Sequence, residues 1–275
     1  MTPSERARLI EIGTQAAYQK LDELDLMVLA ELERLYTTVA HQLAQKLEQY
    51  SLNGYFADTN LRPLLTALNA FLEQLAQKRE DLINRTLAQA AEAGALPAAW
   101  IGVSSTAIDL SIAHSVQAVW KLELADGLQL SERLWKLDKN AKTEIVKALR
   151  QSIAMGQNPM EGARELLRTA QLKGRLEELL TGKGSALYNA QRVFQTENKR
   201  AHALAYINSN DGTPALLGFR YKLSPLHRRV DICDQHATAN QYGLGAGIYP
   251  ANIIRKIFPA HPNTRSSIVA VYKKS

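Results

Sequence analysis

Apolar positions form long helical stripes over the first two thirds of this chain and give way to strand-like alternation near its end. Leu21, Leu24, Val28, Leu32, Leu35, Val39, Leu43 and Leu47 recur at steps of three and four, the spacing that lines up one face of an α-helix. No proline interrupts the pattern, so it predicts a single helix over residues 5–50, stopped by the turn formers Ser51-Leu52-Asn53-Gly54. A second helix is predicted from about residue 59 to 93, with Leu61, Leu64, Leu65, Leu68, Phe71, Leu72 and Leu75 on one side and Gly94 as its stop. A third begins near Pro97 and carries Trp100, Ile101, Ile108, Ile112 and Trp120. Asp126-Gly127 marks a break before a short helix at 131–137, and the next helix, 140–154, closes at Gly156. Asn158-Pro159 then supplies a cap and a first helical position for a helix reaching about residue 167. The three glycines within 173–184 predict a joint.

The segment 185–208 has the most informative stripe. Leu187, Ala190, Phe194, Glu197, Ala201 and Leu204 follow one another at 3-4-3-4-3 spacing, which sets Glu197 inside the apolar face. A buried carboxylate costs several kcal/mol unless paired, so Glu197 should have a basic or hydroxyl partner among residues 200–265, with Arg200 one turn away. After Asn208-Ser209-Asn210-Asp211-Gly212 the period changes. Phe219, Tyr221 and Leu223 alternate with Arg220 and Lys222, and residues 268–272 (Ile-Val-Ala-Val-Tyr) are β-rich, so both read as strands. Between them lie about 40 Gly- and Pro-rich residues, long for a structureless loop unless something pins it. The expected fold is mainly α: an N-terminal helical bundle of long amphipathic helices plus a small C-terminal α+β module. Its expected segments are 1–138 (helical domain), 139–212 (helical linker with the Thr-Glu helix) and 213–275 (module).

Composition narrows the class. A hydrophobic fraction of 46% with 22% charged residues suits a folded chain, and one cysteine excludes an internal disulfide. The start of the chain lacks a signal-peptide apolar core, and no apolar run approaches the roughly 18 residues a membrane span needs. A soluble protein made in a cytoplasm is expected. Charge is split unevenly: residues 173–275 hold 15 Lys/Arg against 6 Asp/Glu, a net +9, while residues 1–172 carry −3. A basic end on an acidic body suits a polyanion such as DNA, with Arg228, Arg229, Arg255 and Lys256 as candidate phosphate contacts.

The same basic third strings together Arg192, Thr196-Glu197, Arg200, His227, Asp231, Cys233, His236, His261-Pro262 and Arg265. Cys233-x-x-His236 with His261, and His227 as a fourth, are residue types that bind tetrahedral zinc. The competing reading is that they hydrogen-bond internally and pin the long loop. His227, Asp231, His236 and His261 also suggest a metal-dependent nuclease, but no second acidic cluster is present for a pair of Mg²⁺ ions. Gly243-x-Gly245-x-Gly247 lacks the Lys-Ser/Thr of a phosphate loop. The expectation is therefore no catalysis, no metal and no cofactor.

In order and spacing this series resembles the Mu F-like head-morphogenesis proteins of tailed bacteriophages. In that family a helix with Arg and Thr-Glu precedes a strand, an Asp with a Cys-x-x-Cys pair, a Gly/Pro loop and a closing His-Pro-x-Cys-Arg-Cys. Thr196-Glu197 and Arg200 match the helix, Asp231 the acid, Cys233 the first cysteine, and His261-Pro262 with Arg265 the closing motif. The match covers roughly residues 140–275. His236 stands at the second cysteine, and Thr264 and Ser266 occupy the last two, which removes thiolates from any zinc site. The resemblance implies a minor capsid protein, not an enzyme, inside the virion near the portal. Its implied partners are portal, head and scaffold proteins and packaged genomic DNA, with a part in head assembly and genome packaging or ejection. A metal-dependent nuclease or DNA-processing enzyme using the His/Cys/Asp cluster is the alternative.

Overall fold

The computed structural model describes residues 1–52, 55–56, 60–123, 127–156, 169–225, 227–261 and 264–273. Two long helices open the chain, α1 (Pro3–Gln49) and α2 (Leu61–Trp100), joined through a short hairpin of β1 (Ser51–Leu52) and β2 (Tyr55–Phe56). α3 (Ser105–Lys121), α4 (Leu130–Gly156), α5 (Thr169–Thr181) and α6 (Ala186–Asn210) follow. The C-terminal region holds β3 (Leu216–Lys222), α7 (Ile232–Thr238), β4 (Ile248–Tyr249), α8 (Ala251–Ile257) and β5 (Ser267–Tyr272). Its strands form an antiparallel sheet in the order β4-β3-β5. The fold is mainly α with a small α+β C-terminal region, as the periodicity indicated. Among the described residues no helix is long and apolar enough to cross a membrane.

Several boundaries differ from the sequence reading, each for a physical reason. Gly94 does not end α2, which continues through Pro97 to Trp100. A Cβ on Gly94 would sit 2.0 Å from the His202 carbonyl oxygen, so the glycine permits close approach of α2 and α6 instead of a turn. The chain turns at Gly102, whose φ is +85°, and α3 starts after Ser104, whose side chain accepts from the Ala107 amide. The two helices expected at 131–137 and 140–154 are one, α4, and Asp138 at the expected gap is the partner of Arg79. The expected joint shrinks to the turn at Gly182–Gly184 between α5 and α6, where Gly184 has a φ of +73°. Its earlier part is helical, because Leu172, Leu176 and Leu180 are buried along α5 and this stripe outweighs the ~1 kcal/mol cost of Gly174. The long segment between β3 and β5 contains α7, β4 and α8. The helix start expected at Asn158-Pro159 lies outside the described residues.

The chain divides into two compact units, each discontinuous in sequence. One comprises Met1–Met27, Ile83–Gly127 and Arg192–Ser275; the other comprises Val28–Leu82 and Leu128–Gln191. These units cut across the segments 1–138, 139–212 and 213–275, since α1, α2 and α6 each contribute to both.

The second unit is organised by Arg79, only 2% exposed. Its Nη1 and Nη2 donate to Asp138 Oδ1 and Oδ2, both at 2.7 Å, and further bonds reach the Tyr36 hydroxyl and the Leu134 carbonyl. The bidentate pair ties α2 to α4 and the Tyr36 bond adds α1; burial acts to lower the guanidinium pKa, and the pairing with Asp138 outweighs it and raises it further. In the first unit, Ile10 of α1 and Ala203, Tyr206 and Ile207 of α6 pack on Phe219, Tyr221, Ile268 and Ala270 of the sheet. β5 is an edge strand. Its Ile268 amide donates to the Tyr18 hydroxyl and its Ala270 amide to the Tyr206 hydroxyl, at 2.8 and 2.9 Å. Side chains of α1 and α6 thus satisfy an edge that would otherwise invite another strand.

Replacing Asp138 with Ala leaves the Arg79 guanidinium buried without its carboxylate. The expected loss is about 3–5 kcal/mol in chemical denaturation, and a loss below 1 kcal/mol would show that the pair does not organise this unit.

Candidate functional site

The polar residues of the C-terminal region converge on the first turn of α7. Asp231 is its N-cap: Oδ1 accepts the Cys233 amide at 2.7 Å, and Asp234 Oδ2 accepts the Asp231 amide at 2.8 Å, closing a capping box. This fixes both carboxylates. Asp231 Oδ2 lies 3.3 Å from His261 Nε2, and Asp234 Oδ2 lies 2.9 Å from His227 Nε2. The Cys233 thiol is buried, 1% exposed. It accepts the Tyr221 hydroxyl at 3.0 Å and lies 3.2 Å from His261 Nε2 and 3.4 Å from Thr264 Oγ1. Two overlapping sets of donor atoms result, Asp231 with Cys233 and His261, and Asp231 with His227 and Asp234, the atoms of each lying within 4.8 Å of one another.

Local electrostatics follow this geometry. The Cys233 amide holds the Asp231 carboxyl below its usual range, helped by His261 and His227. The Asp231 amide and His227 do the same for Asp234, whose hydrogen bond in turn raises the His227 pKa. Burial pushes the Tyr221 phenol up, so it stays a donor to the sulfur.

His236 does not join Cys233. One turn further along α7 its ring lies tilted against Tyr221 and edge-on to Tyr249, with centroids 5.4 and 6.2 Å away, and among the described residues it belongs to neither donor set. Thr264 and Ser266 do face the sulfur's surroundings: Thr264 touches Sγ, and both hydroxyls neighbour the Tyr221 phenol. Arg265 between them points to solvent.

The α6 residues form the adjoining layer. Glu197 is 2% exposed, and Arg200 Nε donates to its Oε2 at 3.0 Å, so the partner is the nearer of the expected candidates. Thr196 donates back to the Arg192 backbone carbonyl at 2.7 Å, so its hydroxyl serves the helix. Lys199, which the sequence reading passed over, donates to the Thr264 carbonyl at 2.6 Å and ties α6 to the segment beside Cys233. Burial lowers the Lys199 pKa, although Asp25 and Asp22 oppose the shift. Asp25 was likewise missed, because it sits on a helix face that reads as solvated. Burial raises its carboxyl from 3.8 to about 6 against the pull of Lys199, and its Oδ1 is buried without a hydrogen-bond partner.

Of the proposed phosphate contacts, Arg228, Arg229 and Lys256 are exposed. Arg255 is engaged: its Nε donates to Asn208 Oδ1 at 3.1 Å and its Nη2 to Asp211 Oδ2 at 2.7 Å. It anchors α8 to the end of α6.

The fold and the cluster define a mainly α chain with a His/Cys/Asp centre in a small C-terminal sheet region. No protein-family model, curated protein or solved structure matches it.

Two substitutions test the adjoining layer. Glu197→Ala should lower stability by about 3–5 kcal/mol, since it strands Arg200 in the interior; an unchanged unfolding midpoint would contradict the pairing. For Asp25 the fold favours the protonated form, so its stabilising contribution is complete below pH 3.8 and declines as pH rises to about 6. Asp25→Asn should therefore raise stability at pH 7.5 by about 2–3 kcal/mol and make little difference near pH 4. Equal effects at the two pH values would refute the assignment.

Proposed function

We propose that this chain is a minor head protein of a tailed bacteriophage, of the Mu F-like kind, acting as a structural component inside the capsid near the portal. The observation that carries this reading is the connection among the residues on which the resemblance rests. Glu197 and Arg200 pair inside α6, Lys199 between them holds the Thr264 carbonyl, and Thr264 touches Cys233 beside Asp231 and His261. The helix that carries Glu197 and Arg200 is thus tied, through Lys199, to the Asp231, Cys233, His261 and Thr264 group some 65 residues on. Such a set suits a family whose motif is a folding framework. A buried thiol in contact with three polar side chains also suits a pinning role better than attack on a substrate.

On this reading the long helices offer surfaces to portal, head or scaffold proteins, since amphipathic helices dock readily on other helices. Arg228, Arg229 and Lys256 face packaged DNA and touch phosphate without reading sequence. A metal-dependent nuclease is the second reading. It is favoured by the partly exposed His227, Asp231, Asp234 and His261 beside two exposed arginines.

Mass spectrometry of purified particles should find the protein at a few copies each. The isolated chain should bind DNA weakly, with affinity falling steeply between 50 and 200 mM salt and little preference among sequences. Reversing charge at Arg228, Arg229 and Lys256 should weaken that binding. Absence from particles would remove the virion reading, and metal-dependent DNA cleavage lost in His261→Ala would establish the nuclease.

A further inference from the structure

We infer that Asp231, Cys233 and His261 form a binding site for one divalent metal ion of the zinc class, with water in the fourth position. The argument starts from His261 Nε2. This one nitrogen lies 3.2 Å from the Cys233 sulfur and 3.3 Å from Asp231 Oδ2. It holds at most one proton, so it cannot meet both neighbours with a full hydrogen bond, and the carboxylate has no proton to return. A cation at the point shared by the three atoms satisfies all of them. Zinc bond lengths of about 2.3 Å to sulfur and 2.0–2.2 Å to nitrogen and oxygen place tetrahedral ligand atoms roughly 3.4–3.6 Å apart. The two measured separations fall just short of that range, so small movements would complete the shell.

Donor chemistry selects the ion. A thiolate, an imidazole and a carboxylate together suit zinc, and the all-oxygen preference of Mg²⁺ and Ca²⁺ disfavours them. The surrounding contacts fix the ligands in place. The capping box immobilises Asp231 and leaves Oδ2 available while Oδ1 holds the Cys233 amide. The Tyr221 hydroxyl donates to the sulfur, as outer partners of metal thiolates do. Lys199 anchors the Thr264 end of the segment that carries His261. Asp231 and His261 are half-exposed, which gives the ion a route in. The neighbouring set of His227 and Asp234 closes on itself through a 2.9 Å hydrogen bond and needs no ion. His236 faces the aromatic rings and takes no part.

The consequence is a clamp between the first turn of α7 and the segment that carries His261, held by one carboxylate, one thiolate and one imidazole. The inference does not depend on the virion assignment: the isolated chain tests one and particle content the other.

The test strips the full-length protein with a chelator and titrates it with Co²⁺ and then Zn²⁺. One Co²⁺ per chain should bind with tetrahedral visible bands and a thiolate-to-cobalt charge-transfer band in the near ultraviolet, and one Zn²⁺ should displace it. Because the chain has a single cysteine, that band reports Cys233 alone. Cys233→Ser should abolish it, Asp231→Asn and His261→Ala should weaken binding by about tenfold or more, and His236→Ala should leave it unchanged. Should a variant fail to fold, the wild-type spectrum still decides. A folded wild-type chain without the charge-transfer band, or binding undiminished in Cys233→Ser or His261→Ala, would overturn the site.

Discussion

From Ala201 to Ile207 helix α6 is buried at every position, and this constraint governs the unit built around it. A helix surrounded on all sides has no solvent face on which to leave polar groups, so each polar side chain near that stretch requires an internal solution. Glu197 takes Arg200, Asn208 takes Ser115 and Arg255, and Asn210 bonds the Tyr206 carbonyl and the Tyr272 hydroxyl. His202 is fully buried, which lowers its pKa to about 3 and keeps it neutral against Tyr18. Asn208 and Asn210 therefore link α6 to α3, α8 and β5.

The same logic explains how the N-terminus enters the C-terminal region. β5 presents outward amides with no neighbouring strand, and an unmet buried amide costs about 1–3 kcal/mol. Tyr18 of α1 and Tyr206 of α6 meet two of them, and the Tyr206 hydroxyl also bonds Thr14 at 2.8 Å. Arg6 adds a bond to the Pro214 carbonyl before β3. The sheet is thus completed by residues some 200 positions earlier, and the C-terminal segment shares one core with the first helix.

Within that frame the His/Cys/Asp centre is assembled from four places: the end of β3, the cap of α7, the segment after α8, and α6 through Lys199. Its buried sulfur and half-exposed histidine and carboxylate give it one dry and one wet side. A folding clamp suits a non-catalytic head protein, while the wet side is what keeps the nuclease reading chemically meaningful.

The sequence by itself determined the elements whose period is long and whose burial is one-sided. α1, the α6 stripe with Glu197 inside it, and strands β3 and β5 were legible because apolar spacing is a local property. The pairing of Glu197 with Arg200 was legible for the same reason, since the partner lies one helical turn away. The Asp231-x-x-Asp234 capping box was also written locally, though its service to the centre was not. Tertiary structure decided the rest. Gly94 reads as a stop in isolation but permits a helix crossing, because only the position of His202 reveals the missing space. His236 is a plausible partner of Cys233 by spacing, yet neighbouring aromatic rings take it. Asp25, Lys199 and Tyr18 look like ordinary surface or stripe residues, and their roles depend on chain that follows about 65 to 250 residues later. Periodicity records which face of an element is dry. It carries no information about which distant group will press against that face, and that choice assembled this site.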